Sequence, residues 1–434
     1  MLPADISGSS GGLHRSSITS ECVHDINSVS DLETAVASAS HLLIHLFAGI
    51  DGASEAMHQL CPSLNDYKVL HLWFETDQFC QTSLRAHSDQ WHRLVLISDE
   101  QGISSSVFSW SSSNWALCKS LSICGSHLLS ITVIAGSPCV GFSRAKRHGK
   151  GIDDPESEKM WIVPSLHTHL QQLFPNLSVG FILENVVMKE QASKDSVSSA
   201  LKTDPILTKA EDFCPCARSR LIWTNSSTDF SSITKVQLAD VIKDEWFPAF
   251  ELSKFHQRFG TFLRPFGPGM PSEYPASFPR LPLSAYDHQG LLVSRSLSQE
   301  AASDIQDRLL AISKASGDSR DSSSEAFRLR RDLCEWIHTS GGSSSLRPLS
   351  AAERLRCLGF RSLSAPESSS SFEEQVPHLR ASGNTFAVPV FMGLLRPLVN
   401  FITGQSELPY RRVDLNLPDK PSALRALGSS KACR

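Results

Sequence analysis

Residues 130–139, SITVIAGSPC, contain the feature that decides the fold, an apolar run that ends abruptly in Gly-Ser-Pro-Cys. Short runs rich in Val, Ile and Leu recur along the chain: HLLIHLF from His41, KVLHLWFE from Lys68, RLVLIS from Arg93, SITVIAG from Ser130 and VGFILEN from Val179. Such runs, separated by segments long enough for helices, are typical of strands in a parallel sheet covered on both faces. The sequence therefore predicts an α/β fold with a mostly parallel sheet and helices on both faces.

Composition limits the classes of protein that this chain can represent. Its 434 residues, 41% of them hydrophobic, can bury a substantial core and are numerous enough for two domains. The net charge of -4 gives no overall attraction to a polyanion, so any contact with nucleic acid would use local basic patches. The 11 scattered cysteines indicate a reducing, intracellular compartment rather than a disulfide framework. No apolar run approaches the roughly 20 residues that span a bilayer, so no membrane partner is expected.

The composition changes along the chain and predicts its division into segments. Residues 1–40 are rich in Ser and Gly, and residues 100–129 resemble an inserted surface segment because they are long and Ser-rich. From about residue 226 the chain becomes dense in Pro, Gly and aromatic residues. We predict five segments: a flexible leader at 1–40, the sheet domain at 41–225, a smaller irregular domain at 226–345, a return segment of the sheet domain at 346–403, and a tail at 404–434.

Polar or Gly-rich clusters follow four of the five apolar runs at their carboxyl ends. They are Phe47–Gly52 (FAGIDG), Glu75, Gly136–Cys139 and Glu184–Val186. Open α/β sheets bind ligands in the crevice beyond the carboxyl ends of their strands. The four clusters are therefore predicted to converge on one site.

The first two clusters suit a nucleoside cofactor. FAGIDG lies between a strand and the helical segment ASEAMHQL, where glycine lets the backbone approach a ligand at a helix N-terminus. Glu75, at the end of the next strand, is placed to accept hydrogen bonds from ribose hydroxyls. A dinucleotide is disfavoured because G-x-G-x-x-G is absent and because Asp51 would repel a pyrophosphate.

Cys139 has three possible roles: a packed thiol, a metal ligand or a nucleophile. No metal site is predicted, because Cys214-Pro215-Cys216 is not matched by a second pair of metal-binding residues and no C-x-x-C pair occurs. Cations that follow it would raise the fraction of thiolate; they are Arg144, Lys146, Arg147 and Lys150. Together with the carboxyl group of Glu184, a thiolate beside a nucleoside cofactor suits addition to an aromatic ring that is protonated as it is attacked.

Six motifs occur in an order that resembles the cytosine carbon-5 methyltransferases that use S-adenosylmethionine, closest to the phage and bacterial branch. They are FAGIDG, GSPCVGFS, ENV, RSR, RPLSAAERLRCLGF and GNTFAVPV. IDDPES and RLIWTN add to the likeness, which covers residues 41–225 and 346–403. The resemblance implies a Rossmann-like methyltransferase domain, with residues 226–345 as the target-recognition domain.

The resemblance also implies a role for each matching residue. Cys139 would add to carbon-6 of a flipped cytosine while Glu184 protonates N3, and Arg220 would hold both the cytosine O2 and Glu184. Arg218 would support the loop or a phosphate. For the cofactor, the resemblance implies that Phe47, Gly49 and Gly52 line the methionine end. Glu75 would contact the ribose and Asp99 the adenine amino group. Pro138 and, in the closing segment, Asn384 would also contact the cofactor. The implied DNA-binding loop contains Ser143, Arg144, Lys146 and Arg147.

Double-stranded DNA with a flipped cytosine is the partner that the resemblance favours. One branch of the family methylates transfer RNA, but its loop continues with Pro-Phe-Thr where this chain has Gly141-Phe142-Ser143, so RNA is less favoured. A catalytically silent DNA-binding or regulatory module is the third hypothesis. The expected location is the nucleus of a eukaryote or the cytoplasm of a prokaryote, and no protein partner is predicted. Ser350–Glu353 predicts a capping box that opens a short helix ending at Gly359.

Overall fold

The computed structural model describes residues 39–87, 94–97, 128–142, 150–253, 258–262, 290–317, 324–339 and 345–415. The strands in these ranges are β1 (His41–Leu46), β2 (Val69–Phe74), β3 (Leu94–Ile97), β4 (Ser130–Gly136), β5 (Val179–Val186), β6 (Ile206–Lys209), β7 (Ser219–Thr224), β8 (Trp246–Pro248), β9 (Leu291–Ser294) and β10 (Leu346–Pro348). The helices are α1 (Gly52–Leu60), α2 (Gln78–His87), α3 (Ile162–Leu173), α4 (Gln191–Leu201), α5 (Leu238–Val241), α6 (Ala249–Ser253), α7 (Gln299–Gly317), α8 (Ser324–Thr339), α9 (Ala351–Cys357), α10 (Phe372–Asn384) and α11 (Val388–Ile402).

The central sheet has seven strands in the order β3-β2-β1-β4-β5-β7-β6. Strands β1 to β5 are parallel, and β7 runs antiparallel to both β5 and β6. The α/β prediction is confirmed, and all five apolar runs form the parallel strands. Because the order reverses between β1 and β4, the carboxyl ends of these central strands flank the crevice in which doubly wound sheets bind ligands.

Both faces of the sheet are covered, as the unbroken apolar runs predict. Every residue of β1 is buried. Side chains of a strand alternate between faces. Accordingly, Leu42 belongs to one apolar cluster together with Leu166 of α3, whereas Leu43 belongs to a second cluster with Met57 of α1 and Leu395 of α11. The sheet thus lies between two helical layers.

Strand β6 was not predicted from the sequence. It has four residues, and two of its apolar side chains are exposed at the edge of the sheet, Ile206 at 38% and Leu207 at 52%. A short edge strand that lacks a buried apolar face gives no periodic signal. Its position is fixed by pairing with β7.

The capping box predicted at Ser350 is confirmed. The Ser350 hydroxyl accepts a hydrogen bond from the Glu353 N–H at 3.2 Å, and the Ser350 N–H donates to the Glu353 carboxylate at 2.8 Å. The helix that it opens, α9, is followed by Gly359 at φ +88°. Arg347 also pairs with Glu353, at 2.7 Å, so the same carboxylate links α9 to β10.

Helices α10 and α11 form the end of the return segment. Asn384 is the last residue of α10, and residues 385–387 connect it to α11. Across the described ranges, no single helix passes a length and hydropathy test for spanning a membrane; Glu373–Asn384 and Val388–Ile402, bent by 52°, pass it only as a pair.

A second, smaller sheet forms from the region predicted to be irregular. Strands β8, β9 and β10 are antiparallel, and β10 lies just beyond residue 345. Helices α7 and α8 share an apolar cluster with this sheet. The described part of 226–345 is therefore more regular than we predicted: Ile305, Leu309 and Ile312 of α7 have helical spacing and are buried.

Buried His41 predicts a loss of stability in acid. Its Nδ1 lies 2.9 Å from the Ser130 hydroxyl, and burial lowers the pKa of His41 from 6.5 to about 4. At pH values between about 4 and 6.5, His41 binds a proton in the unfolded chain but not in the folded protein. The free energy of unfolding should therefore fall with decreasing pH, by about 1.4 kcal/mol per pH unit for this group.

Urea denaturation between pH 7 and pH 4 measures this effect. The variant His41→Gln cannot take up this proton. The slope of its unfolding free energy against pH should therefore correspond to about one proton fewer than in the wild type. Other buried histidines, such as His167 with its lowered pKa, titrate in both proteins and cancel in the comparison. Parallel pH profiles for the two proteins would show that His41 is not responsible.

Candidate active site

Three of the predicted clusters meet around the end of β4. Strand β4 pairs with β1 on one side, where Ala135 lies opposite Leu46, and with β5 on the other, where Gly136 lies opposite Glu184. The turn that contains Cys139 therefore emerges between the FAGIDG turn and the Glu184 carboxylate. The strand order brings these segments together although they are far apart in the sequence.

The FAGIDG turn has an unusual backbone. Phe47, Gly49 and Asp51 all have positive φ, at 56°, 59° and 52°. Non-glycine residues rarely adopt this conformation, and such strain is concentrated at functional sites. The space beside Gly49 is open, because a Cβ placed there would meet no atom within 4 Å, whereas Gly52 packs against Phe386. Of the two glycines predicted to face a cofactor, only Gly49 lies beside open space.

Glu75 holds the FAGIDG turn against the end of β2. Its Oε2 accepts a hydrogen bond from the Gly49 N–H at 2.7 Å, and its Oε1 accepts from Thr76 N–H at 2.7 Å and Asp77 N–H at 2.8 Å. A carboxylate offers about four acceptor positions. Glu75 therefore has about one acceptor position left for a ligand hydroxyl.

Asp51 makes its contacts inside the protein. Its Oδ1 accepts the Ser54 N–H at 3.0 Å, which caps α1, and lies 3.2 Å from Nδ1 of His45. The residue is only 5% exposed. Its carboxylate faces the protein interior rather than the ligand side of the turn, and the expectation that its charge disfavours a pyrophosphate stays a prediction.

A thiol, a carboxylate and a guanidinium lie at the ends of β4, β5 and β7. Cys139 is a half-buried free thiol after the half-buried Pro138, and its carbonyl accepts the Phe142 N–H at 3.1 Å. Glu184 is buried near the end of β5, and its Oε1 lies 2.6 Å from Nε of Arg220 on β7. The structure thus places Glu184 and Arg220 in direct contact.

Arg218 is buried and supports the backbone of the return segment. Its guanidinium donates to the carbonyl of Gly383 at 3.4 Å and to the carbonyl of Thr385. Burial, and then the charge of Arg220, lower the pKa of Arg218 to about 10, so it stays charged at neutral pH. Arg218 thus holds the backbone where α10 ends; the roles that we expected for it, supporting the loop or a phosphate, stay predictions.

Asn185 contributes to the site in a way that sequence reasoning missed. Its Nδ2 donates to the hydroxyl of Ser137 at 2.9 Å and to the carbonyl of Ser137 at 3.3 Å. These bonds tie the end of β5 to the turn before Cys139. The signal was present in the pair Glu184-Asn185, but spacing alone does not show that an amide side chain bridges two strands.

Phe386 is a second residue that sequence reasoning missed. Its ring packs on Gly136 and its Cβ on Gly52, so Phe386 joins the two turns at the ends of β1 and β4. The ring stacks on Phe391 with centroids 4.0 Å apart. A phenylalanine before an apolar helix gives no signal of this contact, which depends on the return of the chain to the sheet.

Some predicted residues lie outside the described residues: Asp99, Ser143, Arg144, Lys146 and Arg147. The structure does describe the residues on either side of the predicted DNA-binding loop. The Gly151 N–H donates to the Gly141 carbonyl at 3.0 Å, and the Ser157 hydroxyl donates to the Gly151 carbonyl at 2.7 Å. Asn384, predicted in the closing segment, is exposed.

Comparison with known proteins finds no matching family model and no matching curated protein. Solved structures give partial similarities. Human methyltransferase-like protein 13 in complex with SAH is 16% identical, over 44% of this chain and 74% of that chain, with a TM-score of 0.24. An antibiotic-related methyltransferase is 10% identical, over 45% of this chain and 93% of that chain, with a TM-score of 0.26. A variant of the 16S rRNA (adenine(1408)-N(1))-methyltransferase from Catenulisporales acidiphilia is 12% identical, over 45% of this chain and 89% of that chain, with a TM-score of 0.25.

Proposed function

We propose that this chain transfers a methyl group from S-adenosylmethionine to carbon-5 of cytosine in double-stranded DNA. The observation that carries the proposal is the ion pair between Glu184 and Arg220, 2.6 Å apart, beside the turn that presents the thiol of Cys139. These three groups are what covalent attack on a pyrimidine needs: a nucleophile, a proton donor and a group that orients the donor.

The residues around the FAGIDG turn fit the cofactor. Gly49 lies beside open space at the N-terminal side of α1, and Glu75 keeps an acceptor position for a ribose hydroxyl. Phe47, Gly52 and Pro138 would complete the methionine end of the pocket, with Asp99 at the adenine and Asn384 in the closing segment. When bound, S-adenosylmethionine supplies the electrophilic methyl group that carbon-5 accepts.

The side chains of this protein would perform the remaining chemistry. The Cys139 thiolate adds to carbon-6 of the cytosine, and Glu184 donates a proton to N3, which makes carbon-5 nucleophilic. After methylation, carbon-5 loses its proton to a base and the bond between carbon-6 and sulfur breaks, which restores the double bond between carbon-5 and carbon-6 and releases the thiolate. N3 then returns its proton to Glu184. Arg220 orients Glu184 and donates to the cytosine O2. Arg218 holds the backbone of Gly383 and Thr385 beside the site.

The base must leave the duplex to reach a thiol on the sheet edge, and flipping costs a few kcal/mol. The predicted loop would offset this cost with Ser143 and the basic residues Arg144, Lys146 and Arg147. Residues 226–345 would recognise the target sequence. A chain with this activity would work where DNA is found, in the nucleus of a eukaryote or the cytoplasm of a prokaryote.

Transfer of a tritiated methyl group tests the proposal. The full-length protein should label double-stranded DNA and leave RNA unlabelled. With DNA that contains 5-fluorocytosine, carbon-5 carries no removable proton, so the covalent adduct should accumulate and peptide mapping should find it on Cys139. Cys61, another half-buried free thiol, serves as the internal control and should stay unmodified.

Each other outcome points to a different function. Labelling of RNA alone would replace the proposal by the RNA enzyme of the same fold. DNA binding without labelling would identify a catalytically silent module. An adduct on a cysteine other than Cys139 would overturn the assignment of the nucleophile.

A further inference from the structure

We propose that His45, Asp51 and His71 bind one divalent cation of the zinc class inside the sheet domain, beneath the FAGIDG turn. The proposal concerns side chains that the methyl-transfer chemistry does not use. It therefore goes beyond the proposed function and does not depend on it.

The strand pairing brings the three side chains together. His45 is on β1 and His71 is on the neighbouring strand β2, and their rings stack with centroids 5.3 Å apart. Asp51, in the turn after β1, places its Oδ1 3.2 Å from Nδ1 of His45. One donor atom from each residue lies within 4.8 Å of the other two, and all three residues are buried.

The charge of Asp51 is the observation that points to a cation. The residue is 5% exposed, and its Oδ2 is buried without any hydrogen-bond partner. In the part of the chain that the structure describes, no Lys or Arg forms an ion pair with Asp51. A buried carboxylate is costly unless it is paired or coordinates a metal. A divalent cation would neutralise the carboxylate and give Oδ2 a partner.

The donor set identifies the class of ion. Two imidazoles and one carboxylate suit zinc and its first-row neighbours, rather than calcium or magnesium, which prefer oxygen ligands. Zinc bonds of about 2.0–2.2 Å place tetrahedral ligand atoms about 3.3–3.5 Å apart. The 3.2 Å between Asp51 and His45 is close to this separation.

Binding requires a local change at His71. Its Nδ1 now lies 3.3 Å from Nε2 of His45 and 3.0 Å from the Ser54 hydroxyl. His71 would move toward the ion and exchange its contact with His45 for a metal bond. The Ser54 hydroxyl or a water would occupy the fourth position. Asp51 also lines a small cavity together with Ile50, Trp73 and Phe360.

The ion would join β1, β2 and the N-terminus of α1, which together carry the FAGIDG turn. Because the ion binds the folded state, it should raise the unfolding temperature, and the rise should grow with the logarithm of the free ion concentration. This stabilisation would occur without DNA or a methyl donor.

Metal titration of the full-length protein tests the proposal. After treatment with a chelator, the protein should take up one equivalent of Co²⁺ with the visible absorption of a four-coordinate ion, and Zn²⁺ should displace it and raise the unfolding temperature. His45→Gln and His71→Gln should abolish this uptake. His41→Gln is the matched control, since His41 is a buried histidine of the same strand that contacts Ser130 instead, and it should bind like the wild type.

X-ray absorption of the zinc-loaded wild type keeps the test decisive if the variants do not fold. We expect a shell of nitrogen and oxygen alone at about 2.0–2.2 Å; sulfur at about 2.3 Å would assign the ion to cysteines and overturn the proposal. A folded wild type that takes up no Co²⁺ or Zn²⁺ would also overturn the proposal. His45, Asp51 and His71 would then form only a buried hydrogen-bonded cluster. Because no measurement here involves methyl transfer, failure of the proposed function would not affect the result.

Discussion

If the proposed function holds, replacing Glu184 by Gln should lower the rate of methyl transfer to cytosine by about a thousand-fold, within the range expected when a general acid is lost. Gln can still accept a hydrogen bond from Arg220 Nε, now 2.6 Å from Glu184, so the orientation of the side chain is largely kept. What Gln cannot do is donate a proton to N3 and return it. The measurement is a single-turnover assay with enzyme in excess over DNA, because it reports the chemical step rather than product release.

Cofactor affinity and two further variants show whether the loss belongs to the chemistry. Calorimetry should find S-adenosylmethionine affinity unchanged in Glu184→Gln. Arg220→Lys keeps a charge near Glu184 but loses the Nε contact, so its rate should fall less. Glu55→Gln is the matched control: Glu55 is a buried carboxylate on α1 that accepts the Arg361 N–H at 2.9 Å, away from the ends of β4 and β5. A Glu184→Gln rate within tenfold of the wild type would remove Glu184 from the mechanism.

The parallel sheet could be predicted from sequence because its strands are buried on both faces. Each such strand is an unbroken apolar run, and the polar residue that ends it marks the ligand edge. For the same reason, the convergence of Cys139 and Glu184 on one edge followed once the strands were recognised. The contact between Glu184 and Arg220 came from the family resemblance, since nothing in the local pattern shows that β7 runs antiparallel beside β5.

The remaining features depend on contacts between distant parts of the chain. The turn residue Asp51 was expected to face a ligand, yet its carboxylate lies beside His45 because the turn has left-handed φ at Phe47, Gly49 and Asp51. His45 and His71 sit inside apolar runs, where a single histidine gives no sign that another lies on the next strand. Phe386 reaches the site only because α11 packs on α1. Tertiary packing, not local pattern, determines these positions.

Gly136→Ala should lower the rate of methyl transfer by about a hundred-fold and destabilise the protein by about 1–3 kcal/mol, the usual cost of overpacking. A Cβ at this position would lie 2.8 Å from the ring of Phe386, closer than real contacts allow. The ring cannot withdraw freely, since it stacks on Phe391 at 4.0 Å. The strain would fall on the turn that leads to Cys139, and a displacement of about 1 Å at a catalytic group is enough for a loss of this size.

A double-mutant cycle with Phe386→Leu separates this clash from other effects of the methyl group. Leu removes the ring edge, so Gly136→Ala should cost much less stability and rate in that background than in the wild type, with a coupling above about 0.5 kcal/mol. Gly49→Ala provides the contrast: its φ of +59° makes alanine strained, but no atom lies within 4 Å of the new Cβ, so Phe386→Leu should not rescue it. If Gly136→Ala and Phe386→Leu instead combine additively, the ring does not hold the Cys139 turn in place. Coupling confined to Gly136 would establish Phe386 as the residue through which the return segment positions the nucleophile.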